Sequence, residues 1–221
     1  MLRQVVLDTE TTGLNPATGD RIIEVGAIEL VDRKPTGNTL HYYINPDSTV
    51  AEEALKVHGL SNEFLNDKPR FFEVADEIMT FIMGAELIIH NAEFDLGFLN
   101  YELSFLRRNP YGTINDHCDV IDSLAVARKL HPGQRNSLDA LCKRYNIKNS
   151  HRTFHGALLD AEILAQVYIT MTGGQEQLFT TQQQDEEEVP LFNSEHKVIP
   201  KTLRIVRATE AELQAHEHYF G

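Results

Sequence analysis

Apolar residues, many of them β-branched or aromatic, crowd residues 3 to 8 (RQVVLD), 21 to 31 (RIIEVGAIELV) and 39 to 44 (TLHYYI). Runs of that kind predict three consecutive strands. The period then changes: residues 51 to 58, 71 to 82 (FFEVADEIMTFI) and 93 to 106 (EFDLGFLNYELSFL) carry apolar residues at helical spacing, with a short strand, ELII, at 86 to 89. A further strand around Cys118 to Ile121 precedes helical stretches at 122 to 130 and 137 to 145. The last strong helix runs from Ala157 to Met171, with Leu164, Val167, Tyr168 and Met171 along one stripe.

Strands first, then strands alternating with helices, predict an α/β domain on a mixed sheet rather than a regular doubly wound one. The domain is expected to close near residue 171, which divides the chain into residues 1–174, 175–200 and 201–221. Past Gly173 and Gly174 comes Gln175 to Phe179, then Thr-Thr-Gln-Gln-Gln-Asp-Glu-Glu-Glu, a run too polar to bury apolar surface and expected to be a flexible linker. In the tail, Lys201 to Arg207 alternates basic and apolar residues. Thr209 with Glu212 forms a capping box that predicts a helix through His218.

At 221 residues the chain has room for one large domain and an appendage. Its 42% hydrophobic and 24% charged residues exclude a wholly disordered, collagenous or disulfide-scaffold protein. Charge changes the picture more. Twenty Lys and Arg against 33 Asp and Glu leave −13, which disfavours a protein that grips duplex nucleic acid through many phosphate-neutralising cations. Any nucleic-acid role then needs local chemistry. The residues from Met1 to Asp8 lack the pattern of a secretory leader, and no stretch approaches the roughly 18 apolar residues of a membrane span. Cys118 and Cys142 lack the number and spacing of a disulfide framework or metal site, so a cytoplasmic location and no membrane partner are expected.

The most informative residues are acids in apolar settings. Asp8 and Glu10 lie two apart at the end of a strand, so their side chains leave the same face and repel unless a cation sits between them. Val5-Val6-Leu7 runs into the pair and Thr11-Thr12-Gly13 turns the chain away, which predicts both acids at a sheet edge. Asp95 falls in the first turn of the helix after the 86–89 strand, where an acid serves equally as a partner of the helix dipole. Asp160 shares the inward stripe with Leu164, Val167, Tyr168 and Met171, and an acid there needs a salt bridge or a metal. His155 meets Asp160 best if it sits in the loop before the helix, which Gly156 permits. Oxygen ligands of this kind suit Mg²⁺ or Mn²⁺ and not zinc, and several carboxylates on hard cations are typical of two-metal phosphoryl chemistry.

Three segments, Asp8-Thr9-Glu10-Thr11-Thr12-Gly13-Leu14, His90-Asn91-Ala92-Glu93-Phe94-Asp95 and His155-Gly156-Ala157-Leu158-Leu159-Asp160-Ala161, resemble in order the three motifs of the DEDDh (DnaQ-like) exonuclease family. The resemblance covers nearly the whole chain and is most specific over residues 5 to 179. It implies a ribonuclease H-like mixed β-sheet flanked by helices, and two divalent cations, Mg²⁺ or Mn²⁺. Asp8, Glu10 and Asp160 would hold the first metal, Asp8 would bridge to the second, and Asp95 would complete the second site. His155 would be the general base, since imidazole suits proton transfer from water near neutral pH. Thr11 would contact the terminal 3′-OH, and Glu53, Val57, His58, Asn91 and Phe94 would frame the last nucleotide.

The function so implied is 3′–5′ exonucleolytic editing of single-stranded or frayed DNA ends, releasing nucleoside 5′-monophosphates during replication. Gln175, Leu178 and Phe179 stand in a peptide resembling one that docks on the sliding clamp (beta subunit). The 201–221 tail resembles a segment that binds the DNA polymerase III alpha subunit, and a small theta-type subunit is a further candidate partner. An exoribonuclease of the ribonuclease T or oligoribonuclease type, which cuts with the same acids, is the alternative enzyme. A non-catalytic adaptor between polymerase and clamp is the alternative from another class.

Overall fold

The computed structural model describes residues 2–149 and 154–173. The peptide with Gln175, Leu178 and Phe179, the expected linker and the helix predicted after Thr209 lie outside the described residues. Five strands, β1 (Arg3–Thr11), β2 (Ile22–Val31), β3 (Lys34–Tyr43), β4 (Glu86–Ile89) and β5 (Asp119–Asp122), form one sheet in the order β3-β2-β1-β4-β5. β1–β2 and β2–β3 pair antiparallel, while β4 runs parallel to β1 and β5 to β4. The sheet is therefore mixed, as the order of periodicities predicts.

Among the described residues, seven α-helices follow the predicted pattern with one addition. They are α1 (Glu52–His58), α2 (Asn62–Leu65), α3 (Phe71–Ile82), α4 (Ala92–Ser104), α5 (Ser123–Leu130), α6 (Leu138–Tyr145) and α7 (Ala157–Gly173). The addition is α2, a single turn started by the Ser61 hydroxyl accepting from the Phe64 N–H. The two-residue period of β1 then sorts the core. Val5 and Leu7 point to one face, where they pack with Ile78 and Met79 of α3 and Phe98 and Leu99 of α4. Val6 points to the other, where it packs with Ala127, Leu141, Ala161 and Leu164 of α5, α6 and α7.

That alternation continues to the end of β1. On the α7 face the successive positions are Val6, Asp8 and Glu10, opposite Ile28, Gly26 and Glu24 of β2. Pairing with β4 stops at Val6↔Ile88, and the β1–β2 register slips between Glu10 and Thr11, where β2 carries an extra residue. The acids thus stand at the C-terminal end of the central strand, and the sheet edge predicted for them is this end, not an outer strand.

Gly26 is needed for the close approach of α7. A Cβ at position 26 would lie 2.1 Å from the Leu158 backbone nitrogen and 2.3 Å from the Ala157 carbonyl carbon. A Gly26→Ala substitution is expected to cost roughly 1–3 kcal/mol, the scale of an overpacked core. Thermal denaturation should show it as a fall in Tm of about 5 °C; an unchanged Tm would mean that α7 does not lie so close.

Candidate active site

Four elements converge where β1 ends. Thr9, on the α3/α4 face, has lost β4 as a neighbour, and a side chain takes the strand's place: Asp95 Oδ1 accepts from the Thr9 N–H at 3.1 Å and from its hydroxyl at 2.7 Å. Asp95 reaches that point because α4 starts at Ala92, straight after β4 and a left-handed turn at Asn91 (φ 72°). Asn91 is held in turn by its N–H, which donates to Asp122 Oδ1 at 3.1 Å. From the opposite face the first turn of α7 supplies Asp160, which is 4% exposed. Leu164, Val167, Tyr168 and Met171 on its stripe are buried as predicted.

His155 sits in the loop before α7, where the predicted meeting with Asp160 requires it. Its Nδ1 lies 3.3 Å from Asp160 Oδ2, and its side chain is 43% exposed. The loop is anchored by the His155 N–H donating to the Val57 carbonyl at 3.1 Å. Asp8, Glu10, Asn91, Phe94, Asp95, His155 and Asp160 all line one cleft of about 220 Å³. Glu10, His155 and Asp160 each bring one ligand atom within 4.8 Å of the others. The carboxylates of Glu10 and Asp160, with Asp8 and Asp95 lining the same cleft, fit a hard divalent cation, and His155 stands beside them.

A second hollow of about 570 Å³ adjoins it, sharing Thr9, Glu10 and Phe94. Thr11, Glu53, Val57 and His58 line it, so every residue expected to frame a terminal nucleotide borders one hollow or the other. His58 is 4% exposed, and its Nδ1 accepts from the Leu60 N–H at 3.0 Å, which leaves Nε2 as the donor. That Nε2 is buried without a partner among the described residues.

Sequence reasoning missed three polar residues at the site. His90 lines the acidic cleft, with Nδ1 2.9 Å from the Ser123 hydroxyl, and burial lowers its pKa, keeping it neutral. Its place immediately before Asn91 was the available signal. Glu24 and His41 lie on β2 and β3, paired at 2.7 Å, and a polar residue in a strand carries no mark of burial.

Comparison with known proteins bears on this geometry. A family model described as "Exonuclease" matches residues 5–168. The DNA polymerase III subunit epsilon of Escherichia coli (strain K12) is 55% identical over 225 residues, covering 97% of this chain and 90% of that protein. The chain belongs to this exonuclease family, among the DNA polymerase III epsilon subunits. The epsilon subunit of Haemophilus influenzae is 49% identical, with 97% and 88% coverage, and that of Rickettsia felis 44%, with 100% and 96%. Among solved structures, exonuclease X in complex with 5′ overhanging duplex DNA superposes with a TM-score of 0.60 at 25% identity, covering 78% of this chain and 93% of that one. The zinc-bound E. coli ExoI–ssDNA complex gives 0.67 at 21% identity, with 81% and 42% coverage, and shares the fold.

The exonuclease stores electrostatic strain at Asp95. Burial raises this carboxyl from 3.8 to about 7, against the lowering effect of the Thr9 hydrogen bonds. The folded state therefore binds the proton more tightly than the unfolded chain, and stability falls as pH rises from about 4 through 7. In chelator, an Asp95→Asn variant should gain on the parent protein across that interval, most at the alkaline end. Melting curves at pH 4.5 and pH 8 test it, and a gap that does not widen with pH would count against it.

Proposed function

We propose that this exonuclease is the proofreading 3′–5′ exonuclease of the replicative polymerase, removing mispaired 3′-terminal nucleotides as nucleoside 5′-monophosphates. The observation that carries the reading is the convergence of Asp8, Glu10, Asp95, His155 and Asp160 on one cleft beside a hollow of nucleotide size. Asp8, Glu10, Asp95 and Asp160 are the residues that would hold two divalent cations, Mg²⁺ or Mn²⁺. When bound, such ions lower the pKa of water and neutralise charge building on the phosphoryl oxygens.

The chain's own residues do the rest. Asp160 orients the His155 ring through Nδ1, so that Nε2 takes the proton from the attacking water. The water oxygen forms the new bond to phosphorus while the bond to the upstream O3′ breaks, and that oxygen takes a proton from solvent, leaving a 3′-OH on the shortened strand. The second hollow receives the terminal nucleotide: Thr11 at its 3′-OH, Val57 and Phe94 against its apolar faces, and Glu53 and His58 at its polar groups, with Asn91 bordering it from the adjoining cleft. A mispaired end frays at lower cost than a paired one, which supplies selectivity without reading base identity. A chain of net charge −13 does not gather DNA by itself. Delivery by partners fits that charge: the sliding clamp through residues 175–179, and the polymerase alpha subunit through residues 201–221, in the cytoplasm. A theta-type subunit is a third candidate partner.

Two experiments test the reading. Labelled single-stranded DNA should be shortened from its 3′ end in Mg²⁺, faster than matched RNA, and chelation should stop the reaction. Asp8→Ala and Asp160→Ala should be inactive but folded, and His155→Ala should lose on the order of 10²–10⁴-fold in rate. Undiminished cleavage by all three variants would remove the site assignment, and faster cleavage of RNA would favour an exoribonuclease. In binding assays, Leu178→Ala combined with Phe179→Ala should abolish clamp binding, while truncation at residue 180 should keep nuclease activity and lose the alpha subunit. Retained binding in either case contradicts the corresponding contact.

A further inference from the structure

Glu24 is a buried acid with no part in the mechanism above. Glu24 is 2% exposed and stands directly across from Glu10 on the face of the sheet that carries α7. Two carboxylates opposed on one sheet face repel, and burying the second adds a desolvation cost. Such a position persists only if the acid is held by donors. His41 Nε2, from β3, lies 2.7 Å from Glu24 Oε1. On the other side the backbone N–H of Ala157, the first residue of α7, faces the same carboxylate and favours its charged form. A Cβ on Gly156 would lie 3.8 and 3.9 Å from the two Glu24 oxygens, so the carboxylate sits directly beneath the turn between His155 and α7.

The His155 turn thereby has a contact on each side: upstream, its own N–H donates to the Val57 carbonyl of α1, and downstream, Gly156 and the Ala157 N–H lie over the Glu24 carboxylate. The negative charge also lies at the N-terminus of α7, where the helix dipole favours it. Asp160 is one turn further along, its N–H donating to the Gly156 carbonyl at 2.9 Å, so the same anchor fixes where the helix begins and where its acid points.

We propose that Glu24, braced by His41, is a positioning residue that holds the His155–Gly156–Ala157 turn over the acidic cleft. The proposal rests on the function proposed above for His155 and Asp160. Glu24 touches no substrate and acts through hydrogen-bond geometry, which an uncharged amide of the same shape can reproduce: Gln accepts from Ala157 and donates to a neutral His41.

The test uses the full chain with three variants, Glu24→Ala, Glu24→Gln and His41→Ala, each checked by melting curve. Steady-state cleavage of labelled single-stranded DNA in Mg²⁺ is read together with amide hydrogen exchange at Ala157 and Leu158, which needs neither metal nor turnover. Glu24→Ala is expected to lower kcat about tenfold with KM within about twofold, and to speed exchange at Ala157 about tenfold, the scale of one lost hydrogen bond to a charged group. Glu24→Gln should keep kcat within about threefold. His41→Ala, on an exposed edge strand, should fold normally and show the same pattern more weakly.

Wild-type kcat and exchange in Glu24→Ala would overturn the proposal, as would a Gln variant impaired as badly as Ala. If Glu24→Ala does not fold, unchanged Ala157 exchange in His41→Ala overturns it instead. A parent protein inactive on DNA would refute the proposed function, and the exchange data would still judge the anchor.

Discussion

The approach of α7 to β2 is the constraint on which the rest depends. Because position 26 has no side chain, the backbone at Ala157 and Leu158 lies against the strand at a distance that a single methyl group would forbid. That contact brings Asp160 to the strand end where β1 carries Asp8 and Glu10. A helix standing off by even the width of a methyl group would leave Asp160 apart from the two acids of β1. The concentration of negative charge is a consequence of backbone packing, driven by the apolar stripe below Asp160.

Against this, electrostatics works to push the site apart. Asp95 is buried and raised toward neutrality, Glu24 is buried opposite Glu10, and His90 is held neutral. The protein tolerates these costs because each group has a directed partner: Thr9 for Asp95, His41 for Glu24 and Ser123 for His90. Such arrangements are found where chemistry, and not stability, decides what a residue must be.

Much of this was legible along the chain, for reasons that differ by residue. The strand and helix periods survive because each element buries one face, so β1, β2, α3 and α7 could be read directly. The turn α2 could not, since four residues complete no hydrophobic stripe. The start of β3, Lys34 to Asn38, was also missed, because it is exposed and polar on the outermost strand. Asp160 announced itself as an acid on an apolar stripe. Glu24 did not: in a strand a polar residue between apolar ones normally faces water, and only the register with Glu10 and the seat under α7 show that this one faces inward. His58 was reached by family resemblance, whereas its bonding state comes from the Leu60 contact alone.

The ring of Phe94 forms a wall common to both hollows. On the proposed reading it acts as a ruler. Bond cleavage lies on one side of the partition and room for one residue of the strand on the other, so the length of each fragment is set by architecture before any chemistry begins. After every cut the new end must slide forward by a single position to refill the chamber.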